Sequence, residues 1–203
     1  MLRPTVGDCQ MAYDSQKHQR RSIRLPGYDY SLAGAYFVTI CTHERECLLG
    51  QVEDGAMLLS GYGRIVEQCW RALPHHFPGV ELDAFVVMPN HVHGIIMITA
   101  PCRGEAFARQ KHAMSPGWVA NASPLQSRPY GTKTYSLGAM VQNFKSVSSR
   151  RINQVRLTPG APVWQRNYYE HIVRNEDELN SIRQYVLGNP TLWEKDENNP
   201  NRL

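Results

Sequence analysis

Hydrophobic and β-branched residues recur along the chain in short stretches that predict strands. No such pattern precedes Ala35, so residues 1–34 are expected to form an N-terminal arm. Stretches rich in aromatic and β-branched side chains then predict four strands, at 35–42, 56–59, 82–88 and 91–99. The turn sequences Asp54-Gly55 and Pro89-Asn90 come just before the second and fourth strands, and both indicate hairpins.

Apolar residues spaced three or four positions apart predict helices in two places in the first three quarters of the chain. The first helix follows Ser60, a residue type that favours N-caps, and ends at Pro74. The second covers 135–152 and is amphipathic. Its apolar face is expected to consist of Leu137, Met140, Val141, Phe144 and Val147.

The remaining part of the chain is predicted to contain a third helix and two less regular segments. The helix follows the cap Asn175 and ends near Asn189, because the proline that comes next disfavours helix in the residue before it. A short extended piece is predicted at 163–165. Residues 101–133 are rich in Pro, Gly, Ser and Ala without a clear period, so a flexible insertion is expected there.

The predicted order of elements, β-β-α-β-β-α-β-α, indicates the α+β class. Such an order is typical of an antiparallel sheet with helices packed against it. We expect one domain over residues 35–195, preceded by the arm and followed by a tail at 196–203. An order of elements does not by itself define a function.

Composition narrows the class of protein. The chain has 203 residues, of which 42% are hydrophobic, enough for a sizeable core. It lacks an apolar run long enough to cross a bilayer, and its N-terminus is polar, so neither a membrane span nor a signal peptide is expected. Five cysteines without a C-x-x-C pair indicate reduced thiols. These features predict a cytoplasmic protein without a membrane partner.

Charge is more informative in its distribution than in its sum. The formal net charge is only +4. Basic residues nevertheless cluster in the arm and near the second long helix, where they are candidate contacts for DNA phosphates. The candidates are Arg20, Arg21, Arg24, Lys145, Arg150 and Arg151. A solvated surface is the alternative for each of them.

The strongest chemical signal is the pair His91 and His93. Alternate side chains of a strand point to one face, so the two imidazoles would lie side by side while Val92 points away. Two such imidazoles can chelate a divalent ion. The alternative is a pair of packed histidines beside a turn.

A second candidate set lies on the last predicted helix. Tyr185 and Asn189 are four residues apart and therefore share a helical face. The amide oxygen of Asn189 would suit Mg²⁺ or Mn²⁺ as a third ligand, which would leave Tyr185 beside whatever the ion polarises. A half-buried tyrosine and an ordinary helix C-terminus are the alternatives.

Five sequence blocks, in this order, resemble one family. They are YFVTICT at 36–42, VVMPNHVH at 86–93, SLGAMVQNFKS at 136–146, WQRNYYEHIVR at 164–174 and RQYVLGNP at 183–190. Together they resemble the REP-associated tyrosine transposases, which are relatives of the small single-tyrosine transposases of bacterial insertion sequences. The resemblance spans about residues 20–195.

The resemblance implies the HUH endonuclease variant of the ferredoxin-like or RRM-like sandwich. His91, His93 and Asn189 would bind Mg²⁺ or Mn²⁺, and Tyr185 would be the nucleophile. The implied activity is endonuclease and strand transferase on single-stranded DNA at hairpins or palindromes, through a 5′-phosphotyrosine and without a nucleotide cofactor. Some relatives act as monomers and others exchange the tyrosine helix in a homodimer, so Tyr185 could act in cis or in trans.

Two other functions are compatible with the same sequence. One is a catalytically idle DNA- or RNA-binding regulatory protein of the same fold, in which Tyr185 has no chemical role. The other is a small hydrolytic metalloenzyme that uses the histidines on a substrate other than nucleic acid. Loss of activity in Tyr185→Phe would exclude the second, and a covalent protein–DNA adduct would exclude the first.

Overall fold

The computed structural model describes residues 25, 27–99, 133–200 and 202. The strands are β1 (Gly34–Cys41), β2 (Gly50–Glu53), β3 (Ala56–Leu59), β4 (Val80–Met88), β5 (His91–Ile98) and β6 (Tyr169–Val173). The α-helices are α1 (Gly61–Arg71), α2 (Leu73–His76), α3 (Leu137–Val155) and α4 (Glu176–Gly188). Short 3-10 helices cover His43–Arg45 and Asn189–Lys195.

The centre of the fold is a sheet of four strands in the order β4-β5-β1-β6, and all its neighbours are antiparallel. A separate hairpin consists of β2 and β3. In the pairing of β1 with β5, Thr39 lies opposite His93 and Cys41 opposite His91. This architecture confirms the predicted α+β class with helices packed on an antiparallel sheet.

The two faces of the sheet bury different sets of side chains. Tyr36, Val38 and Ile40 of β1 point to the face that α1 and α3 cover, where they join the larger apolar core. The alternate residue Phe37 points to the other face, where it packs with Ile95 of β5 and with Leu179 and Val186 of α4. Because side chains alternate along a strand, the histidines of β5 lie on the same face as α4.

A glycine lets α1 approach the sheet closely behind the histidine strand. A Cβ atom added at Gly94 would lie 2.3 Å from Cζ2 of Trp70, far inside contact distance. The indole of Trp70 instead stacks on Phe85, with ring centroids 4.6 Å apart. We conclude that Gly94 is needed for close backbone packing, and that β5 is held firmly at the position next to His93.

Most predicted elements are present, with differences near Pro74 and in the last predicted strand. The caps Ser60 and Asn175 accept hydrogen bonds from backbone N–H groups as expected. Helix α1 ends at Arg71, and Pro74 lies in the first turn of α2, where a missing N–H is tolerated.

The extended piece predicted at 163–165 was wrong as a strand of the sheet. Trp164 forms only an isolated antiparallel bridge with Thr42. The edge strand is β6, which pairs with β1 over Ala35–Thr39. Tyr, Ile and Val in its YEHIV sequence favour a strand, but the segment is short and contains Glu170 and His171, so pairing with β1 decides its conformation.

Two predicted segments lie outside the described residues. They are most of the arm and all but the last residue of the 101–133 insertion. None of the helices in the described part of the chain is long and apolar enough to cross a membrane. The predicted division into arm, domain and tail remains a prediction.

Candidate metal and tyrosine site

The two histidines of β5 point into the space between the sheet and α4. Their side chains are buried, and Nε2 of His91 lies 3.0 Å from Nε2 of His93. The sequence pattern predicted this shared orientation, since the residues stand two apart on a strand. The two nitrogens face one another and can therefore contribute to one ion.

Neighbouring side chains orient both rings. Nδ1 of His91 lies 2.9 Å from Oδ1 of Asn90, whose Nδ2 donates to the carbonyls of Arg45 and Asn198. Because an amide oxygen only accepts, His91 carries its proton on Nδ1 and has a lone pair on Nε2. The hydroxyl of Thr39 lies 2.8 Å from Nδ1 of His93. Such outer hydrogen bonds fix ring orientation in metal sites.

Both imidazoles are neutral near pH 7. Burial, and then the positive charge of Arg45, lower the pKa of His91 to about 4. Burial, and then the neighbouring His91, lower the pKa of His93 to about 3, although Asp196 acts in the opposite direction. The neutral ring is the form that binds metal ions.

A carboxylate that sequence reasoning missed completes a cluster of potential ligands. Oδ2 of Asp196 lies 3.7 Å from Nε2 of His91, and the Asp196 side chain is 7% exposed. The ligand atoms of His91, His93 and Asp196 all lie within 4.8 Å of one another. These residues could together hold a divalent ion. Asp196 was predicted to lie at the start of a tail, and the local sequence shows only a group of acidic residues there.

Asn189 lies where the helical period predicted, one turn after Tyr185 at the C-terminal cap of α4. Its side chain is 2% exposed, and its Oδ1 has no hydrogen-bond partner among the described residues. A buried polar atom without a partner costs roughly 1–3 kcal/mol. An oxygen of this kind is suited to bind a hard cation.

Tyr185 reaches the histidines from α4. Its Oη lies 3.4 Å from Nε2 of His93, and the two ring centroids are 5.2 Å apart. Partial burial, followed by the charge of Asp196, raises the pKa of Tyr185, while an interaction with Asn189 lowers it. The side chain is 46% exposed, so the phenol can meet a large substrate. A cation beside it would oppose the raised pKa.

A cavity of about 410 Å³ opens in front of these groups. Its walls include His93 and Tyr185, the exposed ring of Tyr169, and Asn198 from the C-terminal segment. Residues 196–198 therefore form part of the site, although the sequence analysis grouped them with a tail. His93 and Tyr185, which are 92 positions apart in sequence, share this one cavity.

The predicted DNA-contact residues have different environments. Arg150 and Arg151 are exposed on α3. The ammonium of Lys145 donates to the carbonyls of Gln165, Arg166 and Asn167, and burial lowers its pKa to about 8. Arg20, Arg21 and Arg24 lie outside the described residues. A DNA contact by any of these side chains remains a prediction.

Comparison with known proteins gives a fold and a family. A solved REP-associated tyrosine transposase, bound to a REP hairpin, matches 82% of this chain and 72% of its own, with a TM-score of 0.51 and 15% identity. A predicted transposase of Deinococcus radiodurans matches 81% of this chain and 95% of its own, with a TM-score of 0.42 and 19% identity, which is too distant for an argument. No protein-family model matches the chain.

The fold is therefore that of the REP-associated tyrosine transposases, as the sequence blocks implied. A Haemophilus influenzae protein of uncharacterised function is 40% identical over 192 residues, which cover 91% of this chain and 96% of that protein. The chain belongs to the same family as this H. influenzae protein.

Proposed function

We propose that this protein is a metal-dependent endonuclease and strand transferase of the transposase type, which cleaves single-stranded DNA with Tyr185 as its nucleophile. The observation that carries the proposal is the 3.4 Å distance between Oη of Tyr185 and Nε2 of His93, two residues 92 positions apart. A half-exposed phenol next to paired neutral imidazoles has the environment expected of a nucleophile beside a cation site. The fold shared with a tyrosine transposase supports the same function.

The proposed ion is Mg²⁺ or Mn²⁺, held by His91, His93 and Asn189, with Asp196 as an additional oxygen ligand. The neutral Nε2 atoms, the unpartnered Oδ1 of Asn189 and the nearby carboxylate all fit a divalent ion. When bound, such an ion would polarise the scissile phosphate and offset charge in the transition state. Thr39 and Asn90 would keep the two rings aimed at it.

In the proposed reaction, Oη of Tyr185 attacks the phosphorus of the scissile phosphodiester. The Oη–P bond forms while the P–O3′ bond breaks, which leaves a 5′-phosphotyrosine and a free DNA 3′-hydroxyl. The phenol proton passes to solvent on the exposed side of the ring, and the departing oxygen takes a proton from water. Attack by another 3′-hydroxyl on the phosphotyrosine reverses the step and joins strands without a nucleotide cofactor.

The proposed partner is single-stranded DNA next to a hairpin or palindrome. The structurally similar transposase was solved with a REP hairpin, and we extend that class of partner to this chain. The exposed ring of Tyr169 in the cavity wall offers a surface on which a base can stack. Tyr185 meets a histidine of its own chain, and we therefore propose that it acts in cis.

The test is incubation of the protein with single-stranded palindromic DNA from beside its own gene, in Mn²⁺, followed by a denaturing gel. We expect a covalent protein–DNA adduct that disappears in Tyr185→Phe and in the presence of a chelator. Tyr62→Phe provides the matched control, because that tyrosine lies on α1, on the other face of the sheet.

The possible outcomes separate the alternative functions. Binding of the DNA without an adduct, at any tested Mn²⁺ concentration, would favour the idle regulatory protein of the same fold. DNA cleavage that survives in Tyr185→Phe would exclude Tyr185 as the nucleophile, and neither binding nor an adduct would favour a metalloenzyme that acts on a substrate other than nucleic acid.

A further inference from the structure

A second and larger cavity lies outside the tyrosine site, between α3 and the segment 159–166. Its volume is about 830 Å³. The exposed guanidinium groups of Arg150 and Arg166 stand at its walls together with Ser146, Ser149 and Gln154. No acidic residue is present among the described residues that line it. We call this cavity the α3 groove.

Hydrogen bonds fix the two sides of the α3 groove relative to each other. Nδ2 of Asn153 on α3 donates to the carbonyl of Ala161 at 2.8 Å. Arg156 binds Oδ1 of Asn153 through Nε and the carbonyl of Pro162 through a terminal nitrogen. The indole N–H of Trp164 donates to the hydroxyl of Ser148 at 2.9 Å. The apolar ring of Trp164 is therefore what lines the groove. A groove with both walls fixed needs little ordering when it binds a ligand.

The α3 groove adjoins the tyrosine cavity. Gln165 lines both cavities. Lys145 fixes the segment 165–167 between the two cavities, because its ammonium donates to the carbonyls of Gln165, Arg166 and Asn167. Its charge is therefore engaged within the protein, and the cations left to bind a ligand are Arg150 and Arg166.

We propose that the α3 groove binds the sugar–phosphate backbone of the DNA that flanks the cleaved phosphate, with Arg150 and Arg166 as the phosphate contacts. The proposal deepens the proposed function and rests on it. Guanidinium and hydroxyl groups are the usual partners of DNA phosphates, and acidic groups, which would repel them, are missing from the described lining.

The length of the groove agrees with a short stretch of DNA backbone. Its lining along α3 runs from Lys145 to Gln154, which is roughly 13–14 Å at ~1.5 Å per residue. That length is enough for a short run of phosphates along one strand. Neither cation is paired with a carboxylate among the described residues, so both are available for phosphates.

The test measures how salt affects DNA affinity in a chelator, where no cleavage occurs. The probe is a fluorescent DNA hairpin with single-stranded extensions on both sides, titrated with wild type, with Arg150→Gln/Arg166→Gln and with Arg64→Gln/Arg71→Gln. The last variant is the matched control, because it removes two exposed cations from α1. Circular dichroism melts check that all three proteins are folded.

For the groove variant we expect weaker binding and a plot of log Kobs against log salt that is less steep by about 1.4–1.8, the loss of two phosphate contacts. The α1 variant should keep the wild-type slope. An unchanged slope in the groove variant, or a wild type whose DNA affinity does not depend on salt, would overturn the proposal. Formation of the Tyr185 adduct by wild type is measured separately in Mn²⁺. The results therefore distinguish a wrong DNA-binding proposal for the groove from a wrong catalytic proposal for Tyr185.

Discussion

The two faces of the sheet differ in what they bury. Among the residues that the structure describes, twenty buried ones form one apolar cluster beneath α1 and α3, whereas the corresponding cluster beneath α4 has four. The face under α4 instead buries two histidines, Asn189 and most of Asp196. Most of the apolar burial that stabilises the fold is therefore on one face. The other face buries polar groups, whose burial is costly unless hydrogen bonds or a bound cation satisfy them.

This contrast predicts that substitutions on the two faces affect different properties of the protein. Changes beneath α1 and α3 should lower the free energy of unfolding strongly. Changes beneath α4 should affect metal affinity and chemistry more than stability. The following four experiments test the contrast, beginning with the largest expected change in the free energy of unfolding.

Phe144→Ala on α3 should cost about 3–5 kcal/mol of unfolding free energy. The ring is fully buried, and its centroid lies 5.4 Å from that of Trp70 and 5.5 Å from that of Trp164, so truncation leaves a cavity. Urea denaturation measures the loss, with the exposed Val155→Ala on the same helix as the control. A cost below about 1 kcal/mol would show that this face is not the main source of stability.

Acid should destabilise the metal-free protein through the buried histidine pair. The folded-state pKa values are about 4 for His91 and about 3 for His93, below the usual 6.5. Between about pH 6.5 and pH 4 the unfolded chain therefore binds protons that the folded chain does not, so stability falls as pH falls. The slope should approach, at most, about 1.4 kcal/mol per pH unit for each histidine.

The measurement is a series of urea titrations in chelator across that pH range. The variant His91→Gln/His93→Gln should give a flatter profile than wild type, since it removes both groups. A wild-type profile that is already flat from pH 6.5 to pH 4.5 would contradict the burial of neutral imidazoles.

Asp196→Asn should weaken Mn²⁺ binding by about tenfold or more, the size of effect expected when a group that supports a metal site is removed. The variant should then show a smaller rise in melting temperature on addition of Mn²⁺, because stabilisation follows the ratio of free ion to its dissociation constant. Asp177→Asn is the control, since that exposed carboxylate lies in the first turn of α4. Equal Mn²⁺ responses in both variants would exclude Asp196 as a ligand.

Tyr185→Phe should change the unfolding free energy least, within about 0.5 kcal/mol, while it removes the covalent adduct. The hydroxyl lies 3.4 Å from His93, near the limit of a hydrogen bond, and the ring keeps its packing on Phe37. Calorimetric melting measures the difference. A loss above 2 kcal/mol would indicate that the phenol is a structural group.

The sequence predicted those parts of the site that depend on local periodicity. His91 and His93 share a face because strands alternate, and Asn189 follows Tyr185 by one helical turn. Ligand chemistry and the family resemblance both led to the expectation that these two sets meet, but no spacing in the sequence required it. Asp196 was missed because its contact with His91 joins segments far apart in the chain, and no spacing in the sequence reports such a contact.

Strand β6 and Lys145 illustrate two further limits of prediction from sequence. β6 contains a buried Glu170 and a half-exposed His171, and it forms a strand because β1 offers it an edge. Lys145 was predicted to bind phosphate from its place in a basic cluster, yet its ammonium is surrounded by backbone carbonyls. Local composition does not distinguish a cation that faces solvent from one that closes a loop.

The side chain of Asn90 links three distant parts of the chain, and this has a consequence for the order in which the protein matures. Its amide aligns His91 while it binds the carbonyls of Arg45 and of Asn198, the latter 108 residues away. On a ribosome, the histidine strand would emerge long before the segment that completes its support. The support of His91 would therefore be completed only after Asn198 has left the ribosome.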